Sequence, residues 1–584
     1  MSQTASDLMV GTLHQWGVEV VFGLPGDGIN GIIEAFRKRQ RDIQFIQVRH
    51  EEAAAFAATA YAKLTGKLGV CVATSGPGGL HLLNGLYDAK LDGAPVVAIT
   101  GLQFHDLINT HTQQDVELDK VFENVAVYNT RIMGAAHVEN ATELACRTAL
   151  SCRGVAHITM PVDMQEEPVS KAPHSKRNVE HHVSNVITSH RSTPPEDALR
   201  GAAEILNAGK KTVVLSGRGA IGCGNLVEEI AEMLGAVIAK PLLGKMSVPD
   251  QSPYCTGSVG LLGTKPSLDA LANCDTLFII GSSFPYIEFY PKPDAVKCVQ
   301  LDIDPVRIGL RYPAHVGLVG DSQRTLAKLL PLLKRNEDRN FLSKIQKAKD
   351  EWQKLMDLRG SVADMPMKPQ VVAHELNKLL RDDAIILSDS GTIATWYARH
   401  IQIRKDQMCT LSGNLATMAC GLPYAIGAQV AYPARQVVAL VGDGGFTMLM
   451  AEMLTAKKYK LPIKIVVFKN NTLGQIKWEQ IGMLGNPEYA CELEPFDFVK
   501  YAEACGIAGY RISEPKTCAR ILAEAMNAAG PAVIEAVVDP HEPPMPAHVD
   551  LAQGLAFAEA LAKGTSGGGE MLKTIAKDRF RELI

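Results

Sequence analysis

Asp443 and Asn470 stand 27 residues apart, in a segment that reads VVALVGDGG, then a helical pattern, then IKIVVFKNN. Each follows a short run of apolar, largely β-branched residues with the length of a buried strand. With Thr447 to Lys458 predicted as a crossover helix, right-handed βαβ geometry brings both strand ends to one carboxyl edge, side by side where the strands are neighbours. A carboxylate and an amide oxygen are hard ligands that suit Mg2+ or Ca2+, and Mg2+ normally completes its octahedron with water and phosphate oxygens. Gly442, Gly444 and Gly445 let an anion approach the backbone closely, and the helix that follows turns its positive end toward it. The chemistry these residues suit is a cation clamping a diphosphate. A second Gly-Asp-Gly occurs at Gly26–Gly28, but the residue 27 positions after Asp27 is Ala54. That copy has no second ligand and reads as a turn.

Two further groups could do chemistry. Glu51 and Glu52 open an alanine-rich helix in VRHEEAAAFAATAYAKLTGKLGV. Carboxylates in a first turn compensate the helix dipole, and one held in apolar surroundings can also share a proton with a ring nitrogen. In KKTVVLSGRGAIGCG, Gly217, Gly219 and Gly222 form a G-x-G-x-x-G directly after a strand, as dinucleotide sites require. Asp302 and Asp304 in VQLDIDP lie just past another strand, where a carboxylate could hold an adenosine ribose. Gly260, Ser282, Phe284 and Asp321 are the remaining candidates for this site. The alternative is a Rossmann-like domain with an empty site.

The elements that position these groups follow one pattern. Leu68–Ala73, Val96–Thr100, Thr212–Leu215, Thr276–Ile280, Val437–Val441 and Ile463–Phe468 read as buried strands, each with helical periodicity nearby. This predicts an α/β protein of three doubly wound parallel-sheet domains, pyrimidine-binding, central Rossmann-like and diphosphate-binding once the family below is brought in. Polar, irregular connections near Glu166–Pro195 and Asn336–Pro369 set the boundaries at 1–175, 195–340 and 365–545, with a tail over 546–584. Gly76 to Pro95 spans 19 positions and Gly442 to Pro462 spans 20, so the first and third domains share a block, although βαβ units in general look alike.

At 584 residues the chain is too long for one core. Its net charge of −4, from 59 basic and 63 acidic residues, argues against a nucleic-acid partner. Twelve cysteines without a C-x-x-C pair read as reduced thiols rather than zinc ligands. The N-terminal segment lacks the pattern of a secretory signal, and Thr410 to Ala434 is too polar and proline-broken to span a membrane, so a cytoplasmic protein is expected.

The Asp443–Asn470 segment resembles the thiamine diphosphate enzyme family, whose signature is GDG, a spacer, then N or NN, and the resemblance runs nearly end to end. It implies that Asp443, Asn470 and the backbone carbonyl of Thr472 hold Mg2+ on the cofactor diphosphate. SDSGTIATWYARH and LSGNLATMACGLPYAIGA are also similar to the family. They imply that Gly391 and Thr392 touch the diphosphate, that Met418 supports the thiazolium, and that the carbonyl of Ala416 receives the cofactor's amino group. Glu51 occupies the position of the glutamate that hydrogen-bonds the cofactor pyrimidine, and GPGGLHLLNG, with Gly76 and Asn84, resembles a loop near the cofactor. In the family the site lies between the first domain of one subunit and the third of another, which implies a homodimer or homotetramer.

The central domain looks most like the FAD-binding domain of the pyruvate oxidase branch, which includes pyruvate:quinone oxidoreductase. RHEEAAAFAA, HLLNGLYDAK, FPYIEFYP, VGDGGFTMLM and LPIKIVVF carry that likeness. Glu479 stands where the oxidases have glutamate and the acetolactate synthase branch has tryptophan. Two positions depart from the oxidases. Gln113-Gln114-Asp115 replaces a Phe-Gln-Glu stretch, and Gln475 replaces a phenylalanine beside the substrate, which makes the pocket more polar. The resemblance implies oxidative decarboxylation of pyruvate or a related 2-keto acid, with thiamine diphosphate, Mg2+ and FAD as cofactors and a quinone or oxygen as acceptor. Glu51, Gln114, Gln475 and Glu479 are the catalytic candidates. The alternative is a carboligase like acetolactate synthase, or a non-oxidative decarboxylase, with flavin structural or absent.

In the tail, Leu572, Ile575, Ala576, Phe580 and Leu583 share one face of a predicted helix, with Lys573, Lys577, Arg579 and Arg581 nearby. Such a helix docks on its own oligomer or lies at the inner membrane surface, as the C-terminal segment of the quinone-reducing relatives implies.

Overall fold

The β-branched runs assemble into three sheets of six parallel strands in a computed structural model that describes residues 3–171, 175–178, 192–544 and 551–583. The first sheet contains β1 (Val20–Gly23), β2 (Gln44–Gln47), β3 (Gly69–Ala73), β4 (Val96–Leu102), β5 (Ala126–Arg131) and β6 (Val155–Pro161), in the order β2-β1-β3-β4-β6-β5. The second contains β7 (Thr212–Ser216), β8 (Val237–Lys240), β9 (Cys255–Ser258), β10 (Thr276–Ile280), β11 (Lys297–Asp302) and β12 (Val316–Val319), in the order β12-β11-β10-β7-β8-β9. The third contains β13 (Ile385–Ser388), β14 (Met408–Thr410), β15 (Val437–Gly442), β16 (Lys464–Lys469), β17 (Ala508–Ile512) and β18 (Ala532–Val537), in the order β14-β13-β15-β16-β18-β17. Central strands such as β3, β4, β7 and β10 are buried along their whole length, which is why they read as continuous apolar runs rather than alternating ones.

Counted from its own first strand, the third sheet repeats the order of the first, so the matched block seen in the sequence belongs to two domains of one topology. The middle sheet differs. Its order is that of the dinucleotide-binding Rossmann fold, with the reversal of direction between β7 and β10.

The first and third domains meet through two helices of small residues. Glu51–Thr65 (EEAAAFAATAYAKLT) is buried on nearly every face, which suits its alanine content. It packs against Gly421–Ala431 (GLPYAIGAQVA), where a side chain at Gly427 would collide with the Ala57 carbonyl. The Phe56 and Tyr424 rings meet edge-on across this contact at 6.3 Å, an arrangement worth about 1 kcal/mol beyond its buried area.

A charged network locks the same interface. Lys63 is 5% exposed and its Nζ lies 2.6 Å from Asp92 and 3.4 Å from Asp88, while the Tyr424 hydroxyl donates to Asp88. Asp92 also accepts from the backbone of Gly413 and Asn414 and from the Asn414 side chain, at 2.7–3.0 Å. A buried acid of the first domain therefore fixes the third-domain loop that leads to Ala416.

Three expectations need correction. The helix predicted over Thr447–Lys458 begins earlier and is broken, as Asp443–Leu449, a single turn Met450–Glu452 and Met453–Lys458. Gly442 acts as its N-cap, which puts Asp443 in the first turn beside the strand end. The connection read as irregular near Asn336–Pro369 contains the helix Asn340–Gly360. Of its apolar residues Phe341, Leu342, Ile345 and Met356 are buried while Leu358 is exposed, and the many charged residues conceal the periodicity.

The tail helix forms, as Gly568–Leu583, but Leu572 is 49% exposed while Met571 and Thr574 are buried. Met571 joins Ala560 and Ile481 in a small core with Trp478 and Phe557 beside it, and Lys368 donates to Thr574 at 3.2 Å. The tail thus docks on its own chain through a different face from the one predicted. The side chains of Phe580, Arg579, Arg581 and Leu583 lie outside the described residues. No helix among the described residues is long and apolar enough to cross a membrane.

Lys63→Met leaves two buried carboxylates without their cation. It is expected to cost about 3–5 kcal/mol, read as a lower denaturant midpoint; an unchanged midpoint would show that the network does not hold the domains.

Candidate active site

β13, β15 and β16 are adjacent and parallel, so the turns that follow them share one carboxyl edge. Asp443 is buried there. Its Oδ1 accepts from Gly444 N–H at 2.9 Å, and its Oδ2 accepts from Asn470 and Asn471 N–H at 3.0 and 2.6 Å. Burial pushes its pKa up against the pull of these amides. The Asn470 Oδ1 accepts from Thr472 N–H at 3.1 Å, and Asn471 between them adopts φ +54°, the left-handed conformation that lets the chain turn back on itself. The Asp443 carboxylate on one turn is thus held against the neighbouring turn that carries Asn470 and Thr472, and their hard-oxygen groups are of the kind that fits Mg2+.

The rest of the third-domain set surrounds this turn. Thr392 begins the helix Thr392–His400, and a side chain at Gly474 would touch both Thr392 and Asn470. Gly391 has φ +102° and open space beside it, so a helix N-terminus faces room for an anion. Met418 lies against Gly444, within 3.3 Å of where a β-carbon would stand. Ala416 has φ +54°, a strained conformation for a residue with a side chain that costs about 1 kcal/mol or more and aims its carbonyl away from the usual course.

Asp389 was not singled out by sequence. Burial pushes its carboxyl up to about 6, although Ser390 and Ala419 N–H donate to it at 2.9 and 3.1 Å, and it fills the space that the absent side chain of Gly445 leaves. The available signal was its place one residue past a buried strand, the same place as Asp443.

The first-domain candidates form a second group. Glu51 is 6% exposed and starts its helix behind the N-cap His50. Its Oε2 lies 2.9 Å from His81 Nδ1, and the His81 ring stacks on His50 at 4.5 Å. Ligand atoms of His50, Glu51 and His81 all lie within 4.8 Å, but two imidazoles and one carboxylate suit a softer metal than Mg2+. A side chain at Gly78 would approach Glu51 Oε1, so the glycine keeps space open beside the carboxylate. Gly76, at φ +59°, abuts Gln114, whose Oε1 accepts from Ser75 Oγ at 2.6 Å. Asn84 donates to Glu52 at 2.7 Å and to Thr417 of the third domain at 3.1 Å.

Sequence reasoning also missed Glu452. Its Oε1 accepts from the backbone N–H of Arg49 and His50, both at 2.9 Å, and so anchors the start of the Glu51 helix from more than 400 residues away. No local pattern announces such a partner. Among the described residues no hydrogen bond or ion pair within one chain joins Glu51 to Asp443, Asn470 or Thr472.

A cleft of about 2780 Å3 runs among the three domains. Gly219, Gly260, Ser282, Phe284, Asp302, Asp304 and Asp321 line it from the Rossmann-ordered side, and Gly391, Ala416, Gln475 and Glu479 from the other. Gly217 packs so tightly against Gly281 that any side chain would strike that backbone. This contact draws the ends of β7 and β10 together. Arg153, Arg218 and Arg307 also line the cleft, and burial, followed by the nearby Arg153, brings the Arg218 guanidinium down to about 10. Three arginines beside the buried carboxylate of Asp302 fit the diphosphate and ribose of a dinucleotide. Gln475 and Glu479 come together, with Gln475 Nε2 donating to Glu479 Oε1 at 2.9 Å, whereas Gln114 stays with the Glu51 group.

Comparison with known proteins agrees with this layout. Family profiles described as the N-terminal TPP binding domain, central domain and C-terminal TPP binding domain of thiamine pyrophosphate enzymes match residues 3–123, 199–329 and 389–536. The YdaP protein of Bacillus subtilis (strain 168), whose name assigns it thiamine pyrophosphate only provisionally, is 39% identical over 96% of this chain and 96% of its own. The pyruvate oxidase of Lactiplantibacillus plantarum is 32% identical over 92% of this chain and 89% of its own. An acetolactate synthase of Mycobacterium bovis is 29% identical over 92% of this chain and 88% of its own.

Asp443→Ala removes both a charged ligand and the acceptor for three backbone amides. Calorimetric titration with thiamine diphosphate and Mg2+ is expected to show affinity lowered by about 100-fold. Asp27→Ala, in the other Gly-Asp-Gly, is expected to leave the metal dependence in place. Equal losses would mean that neither motif is the metal site.

Proposed function

The chain belongs to the thiamine pyrophosphate enzyme family, and on that premise we propose that it carries out oxidative decarboxylation of pyruvate or a related small 2-keto acid, with FAD as electron acceptor. The observation that carries this reading is the continuity of the cleft: Arg218, Arg307, the glycines and carboxylates of the Rossmann-ordered domain, with Arg153 of the first domain, open into the same space as Gly391, Ala416, Gln475 and Glu479. A flavin held on one side is then within reach of chemistry on the other. When bound, thiamine diphosphate supplies an electron sink for the loss of CO2, and the flavin supplies the acceptor for the electron pair.

The chain's own residues do the rest. Asp443, Asn470 and the Thr472 carbonyl hold Mg2+ against the diphosphate, with Gly391 and Thr392 donating from a helix N-terminus. Met418 supports the ring system, and the Ala416 carbonyl accepts from its amino group. Glu51 holds a proton at the pyrimidine nitrogen, with His81 beside its other face. The family resemblance supports a complete site that takes Glu51, Gly76, Asn84 and Gln114 from one protomer and the metal set from another, in a homodimer or homotetramer. If FAD is held by the Rossmann-ordered domain, a quinone or oxygen would serve as the final electron acceptor. The helix Leu551–Ala562 packs on Gly474–Gly482, and Met571 of the tail helix joins the same small core, which supports reading the tail as a brace for that helix rather than a membrane anchor.

The likeness to acetolactate synthase over most of the chain favours a second reading, a carboligase with a structural flavin. Products separate the two: acetate and CO2 with a reduced acceptor for the oxidase, a condensed hydroxy-keto acid for the carboligase. The purified protein is expected to show flavin absorbance that bleaches anaerobically on adding pyruvate, thiamine diphosphate and Mg2+. Bands that persist while the keto acid is consumed would reject the oxidase reading.

Glu51→Gln and Asp443→Ala homo-oligomers are each expected to be inactive, whereas subunits dissociated, mixed and reassociated regain activity through mixed dimers holding one intact site. Failure of any mixture to recover would argue for a site within one chain.

A further inference from the structure

Glu51 opens the helix Glu51–Thr65 with His50 as its N-cap, and His81 ends the short helix Pro77–His81, so two imidazoles from separate segments meet one carboxylate. His81 Nδ1 lies 2.9 Å from Glu51 Oε2, and the two imidazole rings stack at 4.5 Å. One ligand atom from each of the three residues falls within 4.8 Å of the others. The other carboxylate oxygen, Oε1, accepts no hydrogen bond among the described residues and is not sealed from solvent. His50 Nδ1 accepts from Glu52 N–H at 3.2 Å, so that nitrogen bears a lone pair, and a metal that takes it displaces only a long hydrogen bond.

We propose that His50, Glu51 and His81 bind Zn2+ or an ion of similar chemistry, at a site separate from the Asp443 turn, and that the bound ion takes Glu51 away from the cofactor. Two imidazoles and one carboxylate, with a fourth position open, are the donor set of many catalytic zinc sites. Bonds of about 2 Å place neighbouring ligands of a tetrahedral zinc about 3.3 Å apart. The His81–Glu51 pair already stands near that spacing. His81 is exposed and His50 partly so, which gives both rings room to turn through the remaining distance while the buried carboxylate stays in place. The Asp443 turn offers oxygen ligands alone, which suit Mg2+, whereas nitrogen donors shift the preference to Zn2+. An ion on Glu51 leaves it unable to hold a proton at the pyrimidine nitrogen, and this second half of the inference rests on the cofactor role of Glu51 in the proposed reaction.

The test titrates the full-length protein, free of thiamine diphosphate and with excess Mg2+ to occupy the Asp443 turn, with Co2+ as the coloured stand-in for Zn2+. Low-coordinate Co2+ absorbs far more strongly in the visible than the six-coordinate ion. The expected result is a set of intense bands that saturates at one Co2+ per chain and is bleached by an equivalent of Zn2+. His81→Gln and His50→Asn, the second of which keeps a capping side chain, are each expected to lower Zn2+ affinity at least about 10-fold. Metal-free thermal melting checks their folding, and Asp443→Ala is expected to keep the bands. Absence of intense bands in the wild type, or bands that survive both histidine variants, overturns the site. Zn2+ added before the cofactor is expected to lower turnover of pyruvate at least about 10-fold, reversibly with a zinc-selective chelator. Each histidine variant, measured against its own Zn2+-free rate, is expected to resist that loss. A site that binds Zn2+ while turnover is untouched overturns the consequence drawn for Glu51 and leaves the site standing. A cofactor-loaded protein that turns over no 2-keto acid without Zn2+ overturns the proposed reaction, and the Co2+ bands still decide the site.

Discussion

The capture of three backbone amides by the Asp443 carboxylate is the interaction on which the site depends. Gly444, Asn470 and Asn471 all donate to it, so one side chain ties the turn after β15 to the turn after β16. This is possible only because those strands are parallel neighbours in register, with Gly442 opposite Phe468. The same burial that raises the acid's pKa makes a divalent cation the natural relief, since its charge favours the ionised form where water is scarce. Asp389, buried behind Gly445, fixes the next turn in the same way. Two acids at the ends of adjacent strands thus build the anion-facing edge before any ligand enters.

The first and third domains use one strand order for different work. The third keeps its carboxylate at the β15 end, while the corresponding β3 end carries Thr74, Ser75 and a glycine turn that opens space beside Glu51. Their association relies on small residues. Alanine and glycine on the two facing helices let backbones approach, and the Lys63–Asp88–Asp92–Tyr424 network compensates charges that such close packing would otherwise strand. Glu452 completes the coupling by holding the backbone just ahead of Glu51. The start of the Glu51 helix is therefore positioned by the third domain of its own chain.

The middle domain is built on a different order, and its reversal point between β7 and β10 explains where its chemistry lies. Glycines at 217, 219 and 281 are packed backbone to backbone there, which draws the two strand ends together and leaves the cleft to be lined by arginines and Asp302. In the G-x-G-x-x-G pattern Gly217 and Gly219 both pack against Gly281, and Gly219 also borders the open space.

Much of this arrangement is legible in the residues themselves. Buried parallel strands announce themselves as unbroken apolar runs, and Asp443 and Asn470 are separated by one strand–helix–strand unit, so local rules are enough to bring them together. The Gly-Asp-Gly at Gly26–Gly28 is separable from it on spacing alone. The helix Asn340–Gly360 escaped notice because a helix with few buried positions has a weak period, and the tail's buried face was misassigned because amphipathicity does not reveal which partner competes for it. The glycine-rich turns, the approach of Asn470 to Asp443 and the α/β class follow from sequence because each depends on neighbours within about thirty residues. Glu452 under the Glu51 helix, the Lys63 network and the arginines of the cleft were decided only by tertiary structure. Their partners are distant in the chain, and burial, which sets their energetics, is a property of the packed molecule rather than of any residue.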